Sequence, residues 1–316
     1  MTKLIIQIPC FNEAETLPAT LADLPTSVDG FDLTEVLVID DGSTDETADI
    51  ARESGADHIL VLPRNTGLAN AFSVGLQRAL QLGADVIVNT DGDHQYPGRY
   101  VADLVRPISE GKAEMVIGDR QIETIKHFSP MKRLLQRLGS WVVRWASGTD
   151  VPDTTSGFRA FSREAALRLS IYSDYTYTLE TIIQAGKRNI ALSSVPISTN
   201  FVNRRSRLIR SIPAYIIISA STIVRIFLMY EALRVFLGLS LIPLLAGIFL
   251  LGRFGYFYLT GDGAGHVQSL IIAAILMVLA FLTILLGLLA DLIAQNRRMN
   301  EDILYRVRRS DVDKQF

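Results

Sequence analysis

Residues 86–99 read VIVNTDGDHQYPGR. Val86–Val88 is a short run of β-branched apolar residues, suited to a buried strand. It ends abruptly in Asn89, Asp91, Asp93 and Gln95, with no lysine or arginine before Arg99. Like charges at the end of a buried strand repel one another and resist burial unless something compensates them. The compensating charge has to come from outside this segment.

Working outward, short apolar runs alternate with amphipathic stretches over the first two hundred residues. The runs Leu4–Ile8, Val36–Ile39, His58–Leu62, Val86–Val88 and Met115–Ile117 predict strands. The stretches Glu13–Leu24, Asp45–Glu53, Gly67–Leu82 and Tyr100–Glu110 predict helices between them. Such alternation predicts an α/β domain, a Rossmann-like, mostly parallel sheet covered by helices. Ser43, with Glu46 three residues on, has capping-box spacing for the second helix. Ligands of such sheets gather beyond the carboxyl ends of the strands. The polar clusters stand there: CFNE after the first strand, DDGSTD after the second, RNTG after the third and TDGDHQ after the fourth.

The 316 residues and 49% hydrophobic content allow one large domain or two small ones. A net charge of −2 lacks the strongly basic footprint of a nucleic-acid binder, so no nucleic-acid partner is expected. One cysteine, Cys10, excludes an intrachain disulfide, and His58, His94, His127 and His266 match no zinc spacing. The N-terminal run is too short for a secretory signal and is expected to begin a cytoplasmic domain.

Composition changes after Arg210. Val235–Gly252 is uncharged for 18 residues and Val267–Ala290 for 24. At about 1.5 Å per residue, such helices match the ~30 Å hydrocarbon core of a bilayer. Two buried helices of a soluble core are the plainer alternative, although the second run has no polar face. Gly261–His266 holds no lysine or arginine, whereas Arg204, Arg205, Arg207, Arg210, Arg297, Arg298, Arg306, Arg308 and Arg309 flank the pair. The positive-inside rule then places both ends in the cytoplasm of a multi-pass inner-membrane protein. The expected organisation is a catalytic domain over 1–210, an interfacial amphipathic helix over 211–232, two transmembrane helices over 233–290 and a basic cytoplasmic tail over 291–316. A third crossing through Ser211–Tyr230 would put the domain outside, against the arginine bias. No clear helix-association motif stands out, and a homo-oligomer through the membrane helices is left open.

Several clusters carry candidate chemistry. Asp91 and Asp93 can reach one hard divalent cation, Mg²⁺ or Mn²⁺, with Gln95 as a neutral oxygen donor. A lone D-x-D also fits a solvated turn. Asp40 and Asp41 suit hydrogen bonds from a nucleobase or ribose, or favour a helix N-terminus. In Pro9–Glu13, Phe11 offers a stacking face and Glu13 a cap or nucleotide contact. Arg120 and Arg159 suit phosphate through the guanidinium fork, or simple salt bridges. His94 is expected to support the turn or face solvent.

Taken in order, PCFNE, VIDDGS, TDGDHQ, VIGDR and DTTSGFR make Leu4–Arg207 resemble the family 2 glycosyltransferases, whose catalytic domain has the GT-A fold. With the two apolar helices, the chain is similar to the dolichyl-phosphate mannose synthase and bacterial polyprenyl-phosphate glycosyltransferase branch. The resemblance implies metal ligands at Asp91, Asp93 and Gln95 on a nucleotide diphosphate sugar. It implies a nucleoside pocket of Pro9, Phe11, Glu13, Asp40, Asp41 and Asp91, and catalytic roles for Asp93, Arg120 and Asp153. The acceptor, a polyprenyl phosphate, would meet Arg159, Arg204, Arg205 and Arg207. Relatives commonly carry Arg-x-x-Gly-x-Ser-Lys near the membrane, where this chain has Asn203-Arg204-Arg205-Ser206-Arg207. Those arginines also suit plain attraction to an anionic membrane surface.

The expected activity is inverting hexose transfer from the nucleotide sugar to the lipid phosphate at the cytoplasmic face. A processive polysaccharide synthase is the rival enzyme, but its Gln-x-x-Arg-Trp motif would need glutamine where Trp141 precedes Arg144-Trp145. A membrane-tethered nucleotide-sugar binder without turnover is the non-enzymatic alternative. The first strand leads into PCFNE rather than G-x-G-x-x-G, which disfavours a dinucleotide-binding enzyme.

Overall fold

The computed structural model describes residues 1–121, 143–144, 147–171, 177–200, 212–261 and 263–314. It divides into two units, Met1–Ile223 with Ile303–Phe316, and Val224–Asp302. Arg204, Arg205 and Arg207, and the tryptophans at 141 and 145, lie outside the described residues.

The first unit is built on seven strands: β1 Lys3–Cys10, β2 Leu33–Asp40, β3 His58–Val61, β4 Val86–Asn89, β5 Met115–Asp119, β6 Arg159–Ser162 and β7 Leu192–Pro196. The helices around them are α1 Leu17–Asp23, α2 Thr47–Glu53, α3 Leu68–Gln81, α4 Val101–Ser109, α5 Arg163–Arg168 and α6 Thr178–Lys187. The spatial order is β3-β2-β1-β4-β6-β5-β7. All neighbours are parallel except β6, which runs antiparallel between β4 and β5. The sheet is therefore mostly parallel, as the alternation of apolar runs predicts.

β1 is apolar along its length because both its faces are covered. Leu4, Ile6 and Ile8 join Val38, Val86, Val88, Val116 and Ala160 in one buried cluster. Gln7 lies on the other face, where its Nε2 donates to Asn89 Oδ1 at 2.9 Å. The five expected strands are present, each ending within three residues of its predicted bounds. β6 and β7 are additional: β6 is four residues long, and β7 is a half-polar edge strand.

The helices begin later than the periodicity implies. Residues 13–16 form a turn in which Thr16 and Leu17 N–H both donate to Glu13 O, and α1 starts only at Leu17 with Pro18 in its first turn. The Ser43 capping box is not formed. Helix α2 begins at Thr47, whose N–H donates to Asp45 Oδ1 at 3.1 Å. Ser43 Oγ instead accepts the Asn12 N–H at 2.9 Å, tying the β1 and β2 turns together.

The second unit is a pair of helices from α7 (Ile212–Leu259) and α8 (Val267–Asp313). Helix α7 is broken at Glu231, whose backbone is non-helical at φ −133° and ψ 30°. Glu231–Leu259 and Ala264–Val312 are long and apolar enough to cross a membrane. Large apolar side chains cover their outer faces; Ile242, Phe249 and Ile293 are each at least 70% exposed. That exposure sets aside the reading as buried helices of a soluble core.

The helices pack through small residues. Ser240, Gly247, Ala273, Ala280, Gly287 and Ala294 are buried, the last four spaced seven apart. A Cβ on Gly287 would lie 2.7 Å from Phe236 Cβ, and one on Gly247 3.3 Å from Met277. Near the tip, an Arg253 guanidinium N–H donates to Ser269 Oγ at 2.7 Å. These contacts fix an antiparallel hairpin. The seam has a period of seven and joins the two helices of one chain.

Candidate active site

The acidic turn begins where β4 ends, at Asn89. Asn89 Nδ2 donates to Gly157 O at 2.9 Å and to the Tyr177 hydroxyl at 2.8 Å, joining the turn to the loop before β6. Because β6 is antiparallel to β4 and β5, its N-terminal end lies beside their carboxyl ends, and Asn89 pairs with Arg159. The DTTSGFR loop is thereby delivered to the acidic turn. Two threonine hydroxyls at the start of α1 hold the turn from the other side: Thr16 and Thr20 Oγ1 donate to Gly92 O at 2.9 and 3.1 Å. Gly92 has no room for a side chain, since a Cβ there would lie 2.8 Å from Cys10 Sγ.

Asp91 is half-buried against Gly157. A Cβ on that glycine would stand 2.9 Å from one carboxylate oxygen of Asp91 and 3.0 Å from the other. Burial, then the like charge of Asp93, pushes the Asp91 carboxyl up to about 7, against the pull of Arg120. Burial, followed by Glu13, Asp40 and Asp91, also pushes the Cys10 thiol up, so it stays protonated beside the turn.

Two described arginines whose charge reaches Asp91, Arg120 and Arg159, are held by partners of their own. Arg120 Nε and NH2 donate to the two oxygens of Asp153 at 2.6 and 3.0 Å, and NH2 also donates to Thr155 Oγ1 at 2.6 Å. Asp153 is buried and accepts the N–H groups of Thr155 and Ser156, each at 3.1 Å. Burial raises its pKa, but the Arg120 hydrogen bonds and charge outweigh that and hold it below the usual carboxylate value. Asp153 is a fixed anion that orients Arg120 and is a poor proton acceptor.

Arg159 is fully buried. It donates to Ser156 O, Thr178 O and Thr154 O at 2.7, 2.8 and 3.1 Å, and to Thr181 Oγ1 at 2.5 Å. Burial pushes its guanidinium down to about 10. The expected acceptor-phosphate role is corrected for this residue: its donors hold the loop and α6 together inside the domain.

At the carboxyl ends of β1 and β2, Pro9 and Asp40 are buried and Phe11 is exposed at the rim. Asp40 Oδ1 accepts Ser43 N–H at 2.9 Å. Asp41 accepts from Thr66 N and Oγ1 at 2.8 and 2.6 Å, and from Gly67 N at 2.8 Å. Asp41 therefore anchors the RNTG loop, a task the sequence did not reveal. Glu13 Oε2 lies 2.9 Å from the same Thr16 hydroxyl, an alternative acceptor for its one proton. Gln95 stands in the acidic turn, its N–H donating to Asp93 Oδ1 at 3.1 Å.

The metal expectation meets a narrow donor set. Among the described residues no group of three or more His, Cys, Asp or Glu side chains gathers to hold a metal ion. Asp91 and Asp93 supply two hard carboxylates two residues apart in one turn. That set fits a Mg²⁺- or Mn²⁺-type ion whose other positions go to water and phosphate oxygens.

Residues 5–169 match the family described as "Glycosyl transferase family 2", which is more than half of the chain. The chain belongs to glycosyl transferase family 2. This family 2 glycosyltransferase is 29% identical over 214 residues to the UDP-N-acetylglucosamine–dolichyl-phosphate N-acetylglucosaminyltransferase of Methanococcus voltae, covering 61% of this chain and 83% of that one. It is 28% identical over 207 residues to the undecaprenyl-phosphate mannosyltransferase of Micrococcus luteus, covering 62% and 82%. Its fold is similar to glucosyl-3-phosphoglycerate synthase from Mycobacterium tuberculosis, solved with Mn²⁺, UDP and glucosyl-3-phosphoglycerate. That match has a TM-score of 0.55 at 23% identity and covers 70% of this chain and 80% of the other. The first unit of this family 2 enzyme has a GT-A-like fold, with the acidic turn and the DTTSGFR loop meeting at its carboxyl edge.

Proposed function

We propose that this glycosyltransferase moves a hexose, with inversion, from a nucleotide diphosphate sugar to a polyprenyl phosphate at the cytoplasmic face of the membrane. The observation that carries the reading is the Asp91–Asp93 pair at the carboxyl edge of the sheet, beside the DTTSGFR loop, in a family 2 chain that also carries a long apolar hairpin. Two relatives named for dolichyl- and undecaprenyl-phosphate acceptors support the choice of acceptor.

Asp91 and Asp93, with Gln95 beside them, would hold a divalent cation, which supplies positive charge against the diphosphate leaving group. Asp40 and the exposed ring of Phe11 would receive the nucleoside. Asp153 fixes the Arg120 guanidinium, which stays charged beside the acids and would face the sugar or its phosphates. A lipid phosphate, with a second pKa of about 6, is largely dianionic at neutral pH. One of its oxygens attacks the anomeric carbon as the bond to the diphosphate oxygen breaks, and the nucleoside diphosphate leaves with that electron pair. No proton has to be removed from the nucleophile, which agrees with an Asp153 unable to accept one.

In sequence, the arginine segment begins at Arg204, after the polar stretch that follows β7. Arg204, Arg205 and Arg207 would receive the acceptor phosphate, and their charge would keep this end of the hairpin cytoplasmic. The domain over 1–210, the segment 211–232, the helices over 233–290 and the basic end over 291–316 then act as catalyst, surface helix, anchor and cytoplasmic extension.

The test is transfer of radiolabelled sugar from a panel of UDP- and GDP-sugars to undecaprenyl or dolichyl phosphate by the purified enzyme. Asp93→Ala should abolish transfer. Undiminished turnover in that variant, or nucleotide binding with no nucleoside diphosphate released by the wild type, would refute the proposal.

A further inference from the structure

Gly157 is held at both of its main-chain polar atoms. Its carbonyl accepts from Asn89 Nδ2 at 2.9 Å and from the Tyr177 hydroxyl at 3.2 Å. Its N–H donates to the Tyr96 hydroxyl at 3.2 Å. Tyr96 follows Gln95 directly and so continues the acidic turn. Its ring is buried and stacks on Phe158, with centroids 5.2 Å apart and planes 16° apart. Burial pushes the hydroxyl up to about 12 against the pull of Arg120, so it stays protonated. A neutral hydroxyl can accept a backbone N–H without adding charge beside two carboxylates.

From Gly157 the contacts lead back to Arg120. Asp153 accepts the N–H groups of Thr155 and Ser156, so the start of the DTTSGFR loop folds onto its own carboxylate. The same carboxylate holds the Arg120 guanidinium at two points, 2.6 and 3.0 Å. At its other end the loop touches the first acid, because a Cβ on Gly157 would stand 2.9 and 3.0 Å from the Asp91 oxygens. A continuous path therefore starts on the acidic turn at Tyr96, crosses to Gly157, follows the loop to Asp153 and ends at Arg120.

We infer that Tyr96 is a positioning residue: by holding the Gly157 N–H, it fixes the Asp153–Arg120 pair relative to the Asp91–Asp93 turn, so that the guanidinium and the acids address one donor diphosphate. The inference rests on the function proposed above. Tyr96 acts through Arg120, so the worth of its hydroxyl depends on a guanidinium being present for the loop to orient.

The experiment is a double-mutant cycle on sugar transfer to undecaprenyl phosphate, using the nucleotide sugar that the wild type accepts. Tyr96→Phe keeps the ring on Phe158 and removes only the hydroxyl. Arg120→Lys keeps the charge but loses the two-point hold of the fork on Asp153. Tyr96→Phe should lower kcat about five- to tenfold, the scale of one lost hydrogen bond, and lower the melting temperature by a few degrees. In the Arg120→Lys enzyme, whose own kcat is reduced, the same change should cost less than about twofold more. Val105→Ala, at a buried position of α4, is the control for destabilisation alone: it should lower the melting temperature and leave kcat within about twofold of wild type. An unchanged kcat in Tyr96→Phe overturns the inference. Losses that multiply in the double variant overturn it too, as does an equal kcat loss in Val105→Ala. Should Tyr96→Phe fail to fold, Tyr177→Phe loosens the Gly157 carbonyl instead and is judged by the same cycle. A wild-type enzyme inert toward every lipid phosphate refutes the proposed function and this inference together. An active wild type in which Tyr96 and Arg120 act independently refutes this inference alone.

Discussion

Acidification from pH 8 to pH 6 should weaken Mn²⁺ binding by about tenfold. The magnitude follows from Asp91, whose carboxyl is pushed up to about 7 by burial and by Asp93. A cation needs the carboxylate, which is roughly nine-tenths populated at pH 8 and roughly one-tenth at pH 6, a ratio worth about 1.4 kcal/mol. An aspartate at its ordinary value near 3.8 would be ionised throughout and the affinity would be flat. The direction for folding is the reverse. With no cation bound, protonated Asp91 relieves the repulsion, so its stabilising contribution is full below about pH 4 and is lost as the pH rises through 7. Asp93→Asn removes the like charge and lowers the Asp91 pKa. It should flatten the pH dependence while weakening binding at pH 8 through loss of a ligand. The assay is titration of Mn²⁺ at constant ionic strength, with free ion read by electron paramagnetic resonance. A parallel titration of His94→Gln controls for the imidazole, whose Nε2 lies 3.7 Å from Asp23. Affinity independent of pH over this window, or an undiminished slope in Asp93→Asn, would refute the reasoning.

Four further outcomes follow from the packing. Gly157→Ala drives a methyl into Asp91 and the Tyr177 hydroxyl, 2.9 to 3.1 Å away, and should cost about 1–3 kcal/mol of stability and at least tenfold in turnover, read by thermal melting and transfer assay. Asp153→Asn leaves Arg120 without its counter-ion and should destabilise the domain by about 2–4 kcal/mol. Because Asp153 is held below its usual range, its contribution is full above about pH 4 and lost on acidification, so the variant's melting temperature should vary less with pH in the acid range. Arg159→Met should lower the melting temperature by about 5–10 °C, yet leave the acceptor KM of the folded enzyme unchanged, since its donors are spent on interior oxygens. Gly287→Leu would force the hairpin apart at Phe236, so a disulfide engineered between positions 247 and 277 should form in the parent protein and fail in the variant.

What could be read from the chain depended on how local the governing contacts are. β1 and β4 announce themselves as continuous apolar runs because helices cover both faces of the sheet. β6 and β7 are four or five residues long and acquire their identity only by pairing with strands distant in sequence. The acidic turn was legible because like charges at a strand end need an external partner. Arg159 misled for a related reason: an arginine after a glycine in a polar loop has the chemistry of a phosphate ligand, and only the tertiary structure shows that main-chain oxygens of Thr154, Ser156 and Thr178 surround it. The small-residue seam of the hairpin was hidden by its period.

The central claim is that Asp91 and Asp93 share a cation with the diphosphate of a sugar nucleotide. The most direct test is an anomalous difference map recorded at the manganese edge, from crystals grown with Mn²⁺ and the nucleoside diphosphate that the enzyme releases. The account predicts a peak bridging the two carboxylates and the diphosphate oxygens. A bound nucleotide with no manganese at that pair, or with both carboxylates turned away from the phosphates, would contradict it.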